Sequence, residues 1–370
     1  MFLMYSSFIK PILFRFDPEF VHDCAVSTAE FLGNVPLIPS LIAPFFRYKN
    51  SMLSQTVLGL QFDNPVGLAA GFDKDVRLTR IIPSFGFGFM EVGAITALPC
   101  AGNSGTHLVR LLKDESIIVY YGLKNIGAQA VYNKIQTRRL RPWSIPTGLN
   151  IAKTNHPDIK GEKSVADYVA TYRLLSPVFS YVTVNISCPN AQDGCTFQDP
   201  VLLRQLLRAL ENEKKSCPVF LKLSNHLSVS ELDHIITAVR DSSLVDGFIV
   251  SNLSKDRSML HLQSPQTLLD SLPLGGISGR PISKQANKLI SYLYTATQGA
   301  YPIIGLGGIF DAYDAYEKIR AGASLVQIIT GLIYGGPATV LRINRGLAEL
   351  LRRDGYSHIS QAVGTKLLSA

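Results

Sequence analysis

The feature that most constrains this 370-residue chain is a rhythm that begins near residue 57. Short β-rich apolar runs alternate with longer stretches of helical spacing. The runs cover residues 65–70, 89–95, 147–152, 181–187, 218–224, 247–252, 302–306 and 324–330. The helical patterns include 164–175, 200–214, 228–239, 283–297, 312–321 and 338–352. Strands that are apolar almost throughout belong to a sheet covered on both faces, and strand–helix alternation makes that sheet parallel. Eight such units predict an α/β chain of the (β/α)8 TIM-barrel class. An open doubly wound sheet is the rival, but that fold places its glycine-rich turn after the first strand. Here the glycine-rich strand end comes late, at Gly305-Leu306-Gly307-Gly308. Two long insertions, residues 97–146 and 253–282, follow strand ends. In a barrel such loops overhang the catalytic face, and loops of that length are usually functional.

Residues 1–50 differ in character from the barrel region, residues 51–370, and form an N-terminal helical extension. The opening MFLMYSSFIKPILFRF is apolar and aromatic, but Lys10, Pro11 and Arg15 interrupt it and it is too short to span a bilayer. No small-residue cleavage site follows it, which argues against a signal peptide. Residues 17–32 predict a helix capped by Asp17, with Phe20, Val21, Cys24, Ala25, Thr28 and Phe31 at helical spacing. A second apolar segment, 35–46, carries three prolines. By themselves these residues fit a helix pair packed on the barrel slightly better than a surface resting on a membrane.

Charge and cysteine usage narrow the partners. The 36 basic and 28 acidic residues leave +8, a modest preference for anionic partners. The densest basic cluster, Arg138-Arg139-Leu140-Arg141, is short and reads as a solvated loop rather than a nucleic-acid surface. Five cysteines, an odd number without a CxxC pair, fit a reducing compartment rather than a disulfide framework. Cys188 and Cys195 lie seven apart with no histidine nearby to complete a zinc site, and no HExxH occurs.

Barrel chemistry stands at the C-terminal strand ends. The first run ends in Gly71-Phe72-Asp73-Lys74, and the third carries Asn150 and Lys153. The fourth ends in Asn185-Ile186-Ser187-Cys188-Pro189-Asn190, and the fifth carries Lys222. The last three end in Ser251-Asn252, Gly307-Gly308 and Thr330-Gly331. This face is rich in amides, lysines and exposed backbone N–H groups and poor in carboxylates and histidines. Paired acids for glycoside cleavage are missing, as are metal ligands. A bound anion and a polar, planar heterocycle suit it better, with the glycine pairs after runs seven and eight as a phosphate cradle. A lysine buried along a strand, as Lys222 is expected to be, needs a negative partner, either a reduced flavin ring or a plain salt bridge. Cys188 is either a packed thiol or a reactive one. Its place at a strand end, before proline and between two asparagines, favours the second. Cys24, Cys100 and Cys217 have no such setting and read as structural.

Five stretches, NPVGLAAGFDKD (64–75), NISCPN (185–190), GGISGRP (275–281), PIIGLGGI (302–309) and GASLVQIITGLIYGGP (322–337), make the chain resemble the dihydroorotate dehydrogenase family. The extension and the GLAAGFDKD form resemble class 2, its membrane-associated, quinone-dependent branch. The resemblance implies an FMN-dependent barrel that oxidises dihydroorotate to orotate in pyrimidine biosynthesis. FMN would be held by Ala70, Gly71, Lys74, Asn150, Asn185, Lys222, Ser251, Gly279, Gly308, Ile329 and Thr330. The substrate would meet Lys74, Asn185, Asn190 and Asn252. Cys188 would be the base that takes the C5 proton while the C6 hydride passes to the flavin. Class 2 members usually have serine there and class 1 members cysteine, and a thiol with an unperturbed pKa near ~8.5 ionises far more readily. Residues 1–46 would face the membrane surface and form a quinone tunnel, which puts the membrane reading ahead. The expected location is peripheral, on the cytoplasmic side of the inner membrane, with no nucleic acid and no metal as partners.

The chain departs from the family pattern around the substrate. The usual Asn-Arg-x-Gly-Phe-Asn loop is replaced by Val119-Tyr120-Tyr121-Gly122-Leu123-Lys124. Threonines expected after Asn252, after Asn190 and on the FMN side are Leu253, Ala191 and Ala94. Each lost buried partner costs on the order of 1–3 kcal/mol of binding. A less polar substrate on the same scaffold is therefore the alternative, and Lys124 is the candidate to reach a substrate carboxylate in compensation. An RNA-modifying dihydrouridine synthase, also a flavin barrel with a loop cysteine, ranks below both. It would need an RNA-binding domain, and only 18 residues follow Arg352.

Overall fold

The computed structural model describes residues 5–187, 197–273 and 275–367. Cys188, Asn190, Ala191 and Cys195 therefore lie outside the described residues. All eight expected strands form: β1 (Val66–Leu68), β2 (Phe89–Ile95), β3 (Thr147–Ile151), β4 (Tyr181–Asn185), β5 (Val219–Leu223), β6 (Gly247–Val250), β7 (Ile303–Leu306) and β8 (Leu325–Ile328). Each pairs in parallel with the next, and β8 closes on β1 with Gln327 opposite Gly67. The barrel is filled rather than hollow. Phe89, Tyr181 and Phe220 point inward and meet edge to face, with ring centres 6.5 and 5.4 Å apart. Small residues on neighbouring strands make room for these rings. A Cβ at Gly148 would lie 2.1 Å from the Tyr181 ring, so this position requires glycine.

The helices cover the outside. Those of six residues or more among the described residues are α1 (Pro18–Asn34) and α2 (Ile38–Phe46) in the extension, then α3 (Ala128–Thr137), α4 (Glu162–Leu175), α5 (Pro200–Glu211), α6 (Val229–Arg240), α7 (Ser283–Ala296), α8 (Ala312–Arg320), α9 (Thr330–Gly335) and α10 (Thr339–Arg353). Their starts follow capping chemistry. Asp199 accepts from the N–H groups of Val201 and Leu202 at 2.9 and 3.0 Å, and Ser228 with Glu231 forms a capping box. Sequence spacing placed most of these helix bounds within a few residues but overlooked the short α9 and α3, whose buried Ala128, Val131 and Ile135 precede the basic cluster.

The two insertions find each other. Leu108–Leu111, Ser116–Val119 and Gly276–Gly279 make a three-stranded antiparallel sheet with Ser116–Val119 in the centre. Val119 sits opposite both Leu108 and Gly276. Each insertion supplies strands that the other needs for its backbone hydrogen bonds, and together they roof the C-terminal mouth of the barrel.

In the extension, Asp17 caps α1 by accepting from the Phe20 N–H at 2.9 Å, as expected. The apolar stripe of α1 lies differently from a packed helix pair. Phe20, Cys24 and Phe31 face outward, while Val26 and Gly33 are buried against the barrel. Cys24 is thus exposed rather than structural. Small residues let α1 approach the barrel closely: a Cβ at Gly33 would come within 3.1 Å of the Ile81 side chain. Nine of the 19 large apolar residues exposed among the described residues fall in residues 5–46, which concentrates them on this one element. No single described helix is long and apolar enough to cross a membrane, and α1 and α2 meet at a bend of 115°.

One buried charge site has a measurable consequence. Lys318 on α8 is fully buried and donates to Asn287 Oδ1 of α7 at 2.7 Å. Burial lowers its pKa from 10.5 to about 7, against the weaker pull of Asp314 and Glu317. Between those two values the folded amine is neutral while the unfolded one holds its proton. Stability should therefore rise as pH increases from 7 towards 10.5, and the penalty should be complete below 7. Lys318→Met should remove that slope and stabilise the protein at pH 6.5 by roughly 1–3 kcal/mol. Urea unfolding of both proteins at pH 6.5 and 9 measures this, and parallel pH dependence would exclude the assignment.

Candidate active site

A cavity of about 1230 Å³, counted to its open mouth, occupies the C-terminal end of the barrel beneath the insertion sheet. Its floor is set by a buried acid that the sequence reading passed over. Glu91 on β2 is fully buried inside the barrel. Its carboxyl group accepts from Asn150 Nδ2 at 2.8 Å, Thr183 Oγ1 at 2.9 Å, Gln327 Nε2 at 3.2 Å and the Tyr181 hydroxyl at 3.3 Å. Burial, and then the charge of Glu91, push the Tyr181 phenol well above its usual pKa, so it stays a donor. The signal was present in sequence: one acid and one amide, each alone in an apolar run, FMEVGAI and LVQI.

This floor orients the amides above it. With its Nδ2 committed to Glu91, Asn150 turns Oδ1 to Asn185, whose Nδ2 donates to it at 3.0 Å. Asn185 Oδ1 in turn accepts from the Ser187 N–H at 3.2 Å and its hydroxyl at 3.1 Å. Asn252 Nδ2 donates to the Ser187 carbonyl and hydroxyl at 3.2 and 3.1 Å. The chain leading to Cys188 is therefore pinned up to residue 187. Lys222 on β5 stands in register with Asn185, buried and in the cavity wall.

The far end of the cavity is built for an anion. The turns after β7 and β8 are buried, yet no backbone carbonyl among the described residues accepts from the N–H groups of Gly308, Ile309, Thr330 or Gly331. Buried N–H groups require a partner. The two turns also touch: a Cβ at Gly331 would lie 1.9 Å from the Ile309 carbonyl oxygen. Thr330 shares a 2.6 Å hydrogen bond with Ser278, which ties the second insertion to this end. Unpaired donors at one end, with Asn150, Asn185 and Lys222 at the other, fit a flavin carrying a phosphate tail.

At the mouth, Lys74 Nζ sits 3.1 Å above the centre of the Tyr121 ring. Burial, then the neighbouring Lys124 charge, lower the Lys74 pKa to about 8. Tyr121 stacks on His107 at 5.3 Å. His107 Nδ1 lies 2.8 Å from Glu19 of α1, and Lys124 Nζ lies 3.7 Å from the same carboxylate. Lys124 is in the cavity wall, but its charge is shared with Glu19. The Tyr121 hydroxyl is buried without a partner among the described residues. His22 of α1 also reaches the wall, edge-on to Phe72 at 5.1 Å, and burial followed by Lys74 lowers its pKa to about 4.

Of the residues singled out in sequence, Ala70, Gly71, Lys74, Asn150, Asn185, Lys222, Ser251, Asn252, Gly308, Ile329 and Thr330 all line this one cavity. Gly279 does not; its neighbour Ser278 does, while Gly279 bends the insertion strand at φ +113°. Val119, Leu253 and Ala94 line the cavity as well, as do Tyr121, Leu123 and Lys124 of the altered loop, whereas Tyr120 does not and Ala191 lies outside the described residues.

Comparison with known proteins agrees with this picture. The family described as Dihydroorotate dehydrogenase matches residues 52–351. Curated relatives named dihydroorotate dehydrogenase (quinone) include one from Roseiflexus sp. (strain RS-1), 38% identical over 96% of this chain and 97% of its own. Another, from Deinococcus deserti, is 38% identical over 98% and 99%. Crystal structures of the Eimeria tenella enzyme, ligand-free and in complex with ferulenol, superpose with TM-scores of 0.83 and 0.82 at 30% identity. Each covers 94% of this chain, which spans 99% and 95% of theirs.

The Glu91 floor is open to test. In Glu91→Gln the new amide would turn its own hydrogens towards groups that already donate. Removing one partner of a buried network costs about 1–3 kcal/mol. The variant should lose that much stability by urea unfolding and purify with less bound flavin by absorbance, since Asn150 loses its anchor. Full flavin content with wild-type stability would show that the floor is dispensable.

Proposed function

The chain belongs to the dihydroorotate dehydrogenase family, in its quinone-dependent class 2, and from that premise we propose how its residues divide the work of oxidising dihydroorotate to orotate. The observation that carries the reading is the single cavity that joins the amide and lysine cluster to an apolar wall. FMN would be held by Asn150, Asn185 and Lys222 at its ring end and, at its phosphate, by the N–H groups of Gly308, Ile309, Thr330 and Gly331, which no backbone carbonyl among the described residues takes up. Bound there, the flavin would supply the two-electron acceptor for dihydroorotate oxidation and the reductant for quinone.

Lys74 pairs with the substrate carboxylate, and its amine is held in place by the Tyr121 ring below it. Asn185, Asn190 and Asn252 grip the pyrimidine ring. Cys188 takes the C5 proton on its sulfur. It stands directly after Ser187, whose N–H, carbonyl and hydroxyl are all engaged by Asn185 and Asn252. On the other side, Leu108, Ile117, Tyr121 and Tyr334 form an apolar cluster packed against Phe14 of the extension. Quinone enters between them. A neutral His22 in the wall suits that uncharged partner. Residues 1–50 act as the membrane-facing extension of a barrel spanning 51–370. The outward stripe of Phe20 and Phe31 with Leu37, Leu41 and Phe45 rests on the cytoplasmic face of the inner membrane.

A second reading has its own observation. Val119 and Leu253 place apolar surface in the cavity where the family pattern has hydrogen-bonding groups. That weakens the hold on dihydroorotate and favours a less polar ring.

Two tests follow. Anaerobic dihydroorotate should bleach the bound flavin, and quinone should restore its colour faster than fumarate or NAD. Cys188→Ala should keep the yellow colour and lose the bleaching, whereas Cys188→Ser should keep some activity with its pH profile moved upward. Bleaching of Cys188→Ala at the wild-type rate would remove the thiol from the mechanism. Separately, Val119→Asn should lower the KM for dihydroorotate about tenfold, the equivalent of one regained buried hydrogen bond. An unchanged KM, with faster oxidation of the methyl ester than of the acid, would favour the second reading.

A further inference from the structure

Where α1 meets the barrel, Arg77, Arg80 and Arg138 converge around an open hollow of about 870 Å³ that includes Phe31 in its wall. The hollow is unrelated to the cavity described above and shares no residue with it. Its one carboxylate is Glu30, which accepts from Arg77 Nε at 2.5 Å and from Arg138 Nη1 at 2.6 Å. Arg80 is bonded only to neutral oxygens, Asn34 Oδ1 at 2.8 Å and the Arg138 carbonyl at 2.6 Å. Three guanidinium groups against one carboxylate leave two formal positive charges, and among the described residues Arg80 faces no acid. The basic loop that carries Arg138 reads in sequence as a solvated cluster. In the fold its first arginine turns instead towards the extension.

The neighbourhood decides what this charge is for. Phe31 is 68% exposed beside the arginines, and Leu37, Leu41 and Phe45 continue the apolar surface along α2. A free anion would gain nothing from Phe31. A phospholipid uses both parts, the phosphate at the guanidinium groups and the acyl region against the aromatic ring. We propose that the Arg77–Arg80–Arg138 hollow binds the headgroup phosphate of an anionic phospholipid, with Arg80 supplying the uncompensated charge. This rests on the membrane-facing reading of residues 1–46. It adds a defined headgroup site to a surface otherwise assigned only by its exposed apolar residues.

Flotation of the holoenzyme with phosphatidylcholine vesicles, with and without phosphatidylglycerol, tests the site. Phosphatidylglycerol should raise wild-type partitioning, and Arg80→Gln should lose about fivefold of that gain, the worth of one basic group at a charged surface. Binding of Arg80→Gln to pure phosphatidylcholine, and its dihydroorotate oxidation with a soluble acceptor, should be unchanged. Arg80→Lys, which keeps the charge without the two-pronged bridge, should retain most of the gain. Lys288→Gln, which removes an exposed charge on α7, should retain all of it. Equal losses in Arg80→Gln and Lys288→Gln, or no gain from phosphatidylglycerol, would overturn the headgroup site while leaving the membrane-facing reading in place. No binding to either vesicle would overturn both.

Discussion

The carboxyl group of Glu91, sealed inside the barrel, is the constraint on which the rest of the site depends. A buried acid is tolerable only when its oxygens are fully engaged, and here four donors from three different strands converge on it. That demand fixes the flip of Asn150, which fixes the flip of Asn185, which fixes the backbone at Ser187. The order in which hydrogen bonds must be satisfied is also the order in which the site is assembled, from the packed floor towards the mouth. Polar residues at the strand ends are thus held by neighbours rather than by their own rotamer preferences, the condition for presenting fixed dipoles to a ligand.

Most of the barrel was legible because period and composition report burial directly. Strands covered on both faces need apolar residues at nearly every position, and all eight runs of this kind became strands. The cavity was legible for a related reason: topology sends every strand's C-terminal end to one face, so Lys74, Asn150, Lys222 and Thr330 meet although they are far apart in sequence. Glu91 and Gln327 escaped because a lone polar residue in an apolar run carries no sign of which partners it will find. The insertion sheet escaped for the reason that its strands belong to two loops separated by more than a hundred residues. Short strands paired across such a distance leave no local trace.

The extension illustrates a limit of helical periodicity. Spacing shows that α1 has an apolar stripe but not which way the stripe faces. In the fold, Val26 and Gly33 touch the barrel, and the larger residues Phe20 and Phe31 face away from it. A soluble helix of ordinary packing would do the reverse. The proposed membrane-facing role gives the outward stripe an apolar neighbour of its own, while the inward strip of α1 belongs to the barrel.

The His107–Tyr121 stack carries a practical consequence. Glu19 comes from α1, His107 and Tyr121 from the first insertion, and Lys74 from the end of β1, so the extension reaches the Lys74 amine through two side chains. Deleting residues 1–50 to obtain a shorter version of the enzyme would therefore do more than remove an exposed apolar surface. It would strip His107 of its acidic neighbour and leave Tyr121 and Lys74 propped on one side only, so a clipped enzyme would misreport the affinity of the intact one.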